Sequence, residues 1–456
     1  MGASKDAIDT GTDWFAWTHA PGIVAENLVN GDLPEQGDGF WDLYKEDLQR
    51  AVDLGTNSIR LGAEWSRVFP SSTESVGAKV KRNDRGVING IDVDEKGFSE
   101  LSKQADQDAV EHYRSIFHYA RSIGLSVFLT LSHFTLPLWA HDPVSCHRDI
   151  GQSTRRGWAD EKTVVEYGKY ADFAARVFSK DVDIWETLNE PEVVAMEGYA
   201  FGRDSGFPPA VEDRALAFRV KRNFVLAHNV GYKNVKKHNA GSPVGIGVAP
   251  NVFVPVDDDP RSRSAAEHAN YMNVEWILNA IVHGAFDNDF DMVTDELAEG
   301  VGGTDFIGVD YYNRIRMRYK QGPVEPWDTP METLPCVDCS DFGWDIFPEG
   351  IRMATNWVFR KYRLPIYVLE NGIADAMDEK RGRYVREHLK ELLNAIAIDG
   401  VPIRGYYHWS LLDNFEWAQG YTKRFGLYTV DFKTKERRVR KSAEVFREIC
   451  RTGEIE

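Results

Sequence analysis

The chain has 456 residues, 43% hydrophobic and 12% aromatic, enough to bury a sizeable core, which excludes disordered and fibrous architectures. Its 54 basic and 71 acidic residues leave a formal charge of −17, so no nucleic acid and no anionic membrane is expected as a partner. The N-terminal MGASKDAIDTG has no apolar core for a secretory signal, and Asp6 stands where a myristoylation signal has Ser or Thr. No run reaches the ~18 apolar residues of a membrane-spanning helix. Four cysteines are too few for a disulfide scaffold, and the expectation is a cytoplasmic enzyme.

Residues 1–40 are polar, Gly-rich and Trp-rich, and offer no convincing strand. A helical pattern over 40–54 stops at Gly55. From there, short apolar or β-branched runs alternate with helical stretches. The runs are 57–62, 126–132, 183–189, 244–249, 305–310, 366–371 and 402–409; the helical stretches include 110–123, 214–238, 265–282 and 384–398. Most runs are apolar throughout, as strands covered on both faces should be, and the alternation predicts a parallel sheet with right-handed crossovers. The polar segments 71–106, 250–260 and 317–335 read as loop insertions after strands. No G-x-G-x-x-G follows any strand, so a (β/α)8 TIM barrel is predicted rather than a dinucleotide fold. Although about 150 residues per domain would allow three units, no linker or repeat divides the chain, and one catalytic barrel over 1–456 is expected. Seven strands are legible where the barrel needs eight; the first is either cryptic within 1–40 or missing.

Two strands end in a carboxylate beside an asparagine, in Asn189-Glu190-Pro191 and Glu370-Asn371-Gly372. An acid at the C-terminal end of a barrel strand points into the mouth, where catalytic groups sit. Counted as strands four and seven, the two lie ~135° apart on a barrel of roughly 7 Å radius, with Cα atoms about 13 Å apart. Side chains reaching about 4 Å inward leave roughly 5 Å between carboxyls, the spacing of a retaining glycosidase. Glu186 and Asp413 are other acids nearby, read as structural.

The segments Thr187-Leu188-Asn189-Glu190-Pro191 and Leu369-Glu370-Asn371-Gly372 resemble the two signatures of glycoside hydrolase family 1. With the stretches EWSRVFP (64–70), HFTLPLWAHD (133–142), SGFPP (205–209), DFGWDIFPEG (341–350) and HWSLLDNFEWAQGYTKRFGLYTVD (408–431), the chain resembles that family's archaeal β-glycosidase branch from about Gly11 to Arg451. The resemblance implies Glu190 as general acid/base and Glu370 as nucleophile. It places Arg60 beside the nucleophile, where its charge would keep Glu370 ionised, and Tyr312 in a hydrogen bond to the same carboxylate. His133 and Asn189 match positions for the sugar O3 and O2, and Glu416 and Trp417 those for O3, O4 and O6. Trp409 matches the platform under the ring. Phe134, Trp65 and Phe425 would be walls, with Trp139 on the leaving-group side.

The implied activity is that of a retaining exo-β-glycosidase acting on terminal β-D-glucosyl or β-D-galactosyl units of small β-glycosides or oligosaccharides. It needs no cofactor and no metal, and relatives of this branch are often homo-oligomers. A carboxylate at Glu416 would repel a 6-phosphate. Two departures stand out. The family's first strand, with its sugar-binding glutamine, has no counterpart here, which leaves open a sugar-binding protein with impaired catalysis. Asp310 stands where the family usually has Asn, and a third carboxylate there would raise a neighbouring Glu by like-charge repulsion. Cys336-Val337-Asp338-Cys339, with Cys146 and His147, has zinc-ligand spacing, but reduced loop thiols are the expected state.

Overall fold

The computed structural model describes residues 8–322 and 328–455; Asp6 and the centre of the 317–335 insertion lie outside them. Its centre is a seven-stranded parallel sheet in sequential order. The strands are β1 (Ser58–Gly62), β2 (Ser126–Thr130), β3 (Ile184–Asn189), β4 (Val244–Val248), β5 (Phe306–Asp310), β6 (Ile366–Asn371) and β7 (Ile403–His408). All seven correspond to the runs legible in the sequence. The helices packed outside are α1 (Phe40–Asp53), α2 (Gln107–Ser122), α3 (Glu161–Phe178), α4 (Arg214–His238), α5 (Trp276–His283), α6 (Glu349–Tyr362), α7 (Arg381–Ala397) and α8 (Lys441–Thr452). The arrangement is a (β/α) barrel, nearly closed.

The order of burial follows the order of pairing. Every residue of β4 and β5 is buried, as the uniformly apolar sequences VGIGV and FIGVD require of strands covered on both faces. The outer strands β1 and β7 are only half-buried. They do not pair with each other, so the sheet is open between them. A cleft of about 760 Å³ runs along this opening, lined by both edges and by α1 and α8 residues such as Ala51 and Phe446. One side-chain bond spans it, from Ser58 Oγ to the Tyr407 hydroxyl at 2.8 Å.

No strand occurs among the described residues ahead of β1, so of the two alternatives, cryptic or missing, a cryptic strand is not found there. The Trp-rich segment instead forms two short helices, Asp13–His19 and Pro21–Ala25. The Thr12 side chain caps the first by accepting from the Phe15 amide at 3.0 Å. Trp14 and Trp17 are then buried on a helix face, not alternated across a strand.

The three insertions follow strands as expected, but they are not plain loops. Residues 71–106 contain the hairpin Lys79–Arg82 with Ile88–Asp92, then the helix Glu95–Gln104. The second and third insertions contribute the strand Val252–Pro255 and the hairpin Arg314–Tyr319 with Met331–Leu334, joined in one three-stranded sheet at the barrel mouth. The zinc reading of the cysteines is overturned. Cys336 and Cys339 are joined in a disulfide, so neither sulfur is a thiolate, and the expected reduced thiols are absent at this pair. Cys146 is buried with its sulfur 3.4 Å from the Arg155 carbonyl, while His147 faces Glu26 and the Pro209 carbonyl. No described helix is long and apolar enough to cross a membrane.

Candidate active site

The C-terminal ends of β3, β5 and β6 bring three acids together: Glu190, Asp310 and Glu370 each offer one oxygen within 4.8 Å of the others. Each position has a local cause. Glu190 follows the last residue of β3 in a left-handed conformation, φ 44° and ψ 54°, and Pro191 opens the next helix at once. That turn aims Glu190 across the mouth while its amide donates to the Gly247 carbonyl at 3.0 Å. Asp310 and Glu370 are register partners on β5 and β6, brought level by an irregularity after Val309. Gly247 on β4 makes the close approach possible: a Cβ there would lie 2.2 Å from Glu186 Oε1 and 3.1 Å from Asp310 Oδ2.

Glu370 and Glu190 sit in unlike surroundings. Both Glu370 oxygens face donors: Arg60 Nη1 at 2.6 Å on one and the Tyr312 hydroxyl at 2.5 Å on the other. These are the partners of a carboxylate. Arg60 also donates from Nε to Glu186 at 2.9 Å and from Nη2 to Asn189. Its burial opposes the charge, but Glu186 and then Glu370 outweigh that and hold the guanidinium protonated. Glu190 has no such cation of its own. Burial, and next the negative charge of Glu370, push its carboxyl well above the usual range, so it keeps its proton. Burial and then Arg60 hold His133 well below the ordinary histidine value, leaving a neutral ring whose Nε2 lies 3.3 Å from Asn189 Nδ2.

A cavity of about 560 Å³ opens above the acids. Among its lining residues are His133, Phe134, Glu190, Tyr312, Glu370, Trp409, Glu416, Trp417 and Phe425. The ring of His133 lies nearly parallel to Trp409 and Trp417, with centroids 5.8 and 5.7 Å away. Burial, then the Glu370 charge, raise Glu416 to about 8. Its Oε2 is buried without a partner among the described residues. Arg60 and Asn189 are not among the lining residues; they stand behind it and hold the groups that are.

Two assignments need correction. Trp139 is absent from the cavity lining: its indole donates to the Phe69 carbonyl at 2.9 Å, and its ring meets Trp65 edge-on. Trp65 is 1% exposed and stacked on Tyr170, so it is core and not a wall. Asp413 is tied to Arg440 at 2.8 Å and to the Gly426 amide at 2.9 Å, and Glu186 to Arg60, both away from the opening. Sequence reasoning overlooked Trp344, which lines the cavity beside Phe342 and 5.2 Å from the Tyr312 ring. The stretch DFGWDIFPEG carried it, but nothing in the spacing placed that tryptophan at the mouth.

A parallel barrel presenting two buried acids in unlike surroundings among stacked aromatic rings defines a glycosidase of the barrel class. The family model for glycosyl hydrolase family 1 matches residues 100–455. The chain is 37% identical to a β-galactosidase of Pyrococcus woesei, covering 97% of this chain and 92% of that protein. It is 38% identical to a β-galactosidase of Saccharolobus solfataricus, over 98% and 91% of the two chains. Among solved structures, the β-glycosidase of the hyperthermophile Thermosphaera aggregans matches with a TM-score of 0.90 and 34% identity, over 100% of this chain and 94% of that one. The protein belongs to glycosyl hydrolase family 1, and it is a β-glycosidase of the β-glucosidase/β-galactosidase kind.

Proposed function

We propose that the protein is a retaining exo-β-glycosidase that removes terminal β-D-glucosyl or β-D-galactosyl residues through a covalent intermediate on Glu370. The observation that carries this reading is the pairing of a donor-saturated Glu370 with a proton-holding Glu190 at a separation below 4.8 Å. That spacing leaves no room for a water between nucleophile and sugar, as an inverting enzyme requires. Protonated Glu190 donates to the glycosidic oxygen while Glu370 attacks the anomeric carbon from the opposite face. Esterification consumes the Glu370 charge, which is the second cause holding the proton on Glu190. Glu190 then ionises more readily and takes a proton from the hydrolytic water.

Trp409 supports the apolar face of the sugar, and Glu416 with Trp417 supplies the polar rim that favours cleavage at a chain end. The acids keep their partners despite the open sheet edge: Arg60, on the edge strand β1, and Tyr312 both reach Glu370, which favours a working enzyme over an impaired sugar binder. A homo-oligomer fits the same reading, since one structural relative is described as a β-glucosidase mutant derived from a tetrameric structure.

The test uses aryl β-glucosides and β-galactosides with the parent chain and Glu370→Gly. The variant should lose on the order of 10⁴-fold or more in kcat, and azide should restore turnover as an α-glycosyl azide. A β-configured azide product, or undiminished hydrolysis by the variant, would remove Glu370 as nucleophile.

A further inference from the structure

Asp310 is a buried acid in the mouth, at the end of β5, that the mechanism above leaves unused. It is 1% exposed, it lines the cavity, and neither of its oxygens has a hydrogen-bond partner among the described residues. A buried carboxyl that is not hydrogen-bonded is costly, and few such groups persist without a task or a bound water. Its nearest oxygens lie within 4.8 Å of those of both Glu190 and Glu370. Two oxygens this close can share one water, at about 2.8 Å to each.

We propose that Asp310 is a further acid–base residue of the hydrolytic half-reaction, sharing the attacking water with Glu190. This rests on the retaining mechanism proposed above. The groups that face Asp310 fix its state through the cycle. Among the described residues Arg60 from β1 is the cation that faces it, and it is committed to Glu186, Glu370 and Asn189. Glu186 and Glu190 face it from β3, Glu370 from β6 and the Tyr312 hydroxyl from the chain after β5, with Glu416 and the neutral His133 at the cavity wall. Burial, then the charge of Glu370, hold its proton in the free enzyme. When Glu370 is esterified its charge disappears, Glu190 has given its proton to the leaving group, and Asp310 and Glu190 then hold one proton between them. In the second half-reaction the water oxygen bonds to the anomeric carbon, the ester bond breaks back onto Glu370 as carboxylate, and the water's proton goes to Asp310 or Glu190. The free enzyme is thereby restored.

The experiment removes Glu190 first. With a dinitrophenyl β-glycoside the leaving group departs as the phenolate and needs no acid, so Glu190→Ala should still show a burst followed by slow turnover limited by hydrolysis of the glycosyl-enzyme. Adding Asp310→Asn should leave the burst intact and lower that slow rate by about tenfold or more. The acid limb of the slow rate, set by a base that must ionise, should disappear with it, and azide should restore turnover. An unchanged slow rate in the paired variant overturns the proposal, as does a lost burst, which would make Asp310 a group of the first step or of the fold. Mass analysis of the parent treated with a 2-fluoro glycoside separates the two levels of inference. An unlabelled Glu370 would sink the retaining mechanism itself, whereas a labelled Glu370 with an unchanged slow rate sinks only the role of Asp310.

Discussion

The paired arc of the sheet and its open edge solve the same problem by different means. From β2 to β6 every strand has a neighbour on both sides, and the three acids of the mouth stand at the ends of strands in this arc. Their spacing is set by backbone register, as between Asp310 and Glu370. At the opening, β1 and β7 each lack one neighbour, yet they supply Arg60 and lead into Trp409, two residues packed around the same acids. Here side chains do what main-chain pairing does elsewhere. Arg60 alone reaches Glu186, Asn189 and Glu370, and the Ser58–Tyr407 bond spans the gap. The difference teaches that the barrel mouth is held by two systems, one of them concentrated in a single guanidinium.

The largest expected effect breaks that concentration. Arg60→Met leaves Glu186 and Glu370 buried without their cation and should cost about 3–5 kcal/mol of folding stability in denaturant titration, beyond any loss of activity. Stability within 1 kcal/mol of the parent, as an order-of-magnitude limit, would show that β1 is held by its backbone after all.

The next effect is a pH dependence centred on Glu416, on the chain that follows β7. Its folded pKa of about 8 exceeds the ordinary glutamate value of 4.5, so the native state binds more protons than the unfolded state between those values. Stability therefore falls as pH rises through that window. Thermal melts from about pH 5 to about pH 8 should show the decline, and Glu416→Gln should flatten it. An identical slope in the variant would assign the dependence to other buried acids, such as Glu64 and Glu192, each raised to about 7 chiefly by burial.

The smallest effect sharpens the contrast without changing a residue. Backbone amides of β1 and β7 should exchange with solvent at least about tenfold faster than those of β4 and β5, because alternate groups on each edge have no ladder partner. Uniform protection across all seven strands would erase the distinction between the two regions.

Strand runs and both carboxylate–asparagine ends were legible because each depends on a few neighbouring residues. The unbroken apolar content of VGIGV and FIGVD carries its own prediction of double-sided burial. The insertions were harder to read: the hairpin over Lys79–Arg82 and Ile88–Asp92 is mostly polar on its outer face, and its pairing was hidden in a charge-rich segment. Trp139 and Trp344 show the limit for single aromatics. Each sits in an aromatic stretch after a strand, yet one turned toward Trp65 and the core while the other reached the cavity.

The sequence by itself determined the alternation of strand and helix and the placing of Glu190 and Glu370 at strand ends, since local periodicity and turn chemistry reach only a few residues. Tertiary structure decided which groups share a desolvated space. Burial and the charge of Glu370 raise Glu190, Asp310 is left without a partner, Cys336 closes on Cys339, and the sheet stays open between β1 and β7. Each of those outcomes depends on how much water and which charges surround an atom, and distant segments set both only once they have packed.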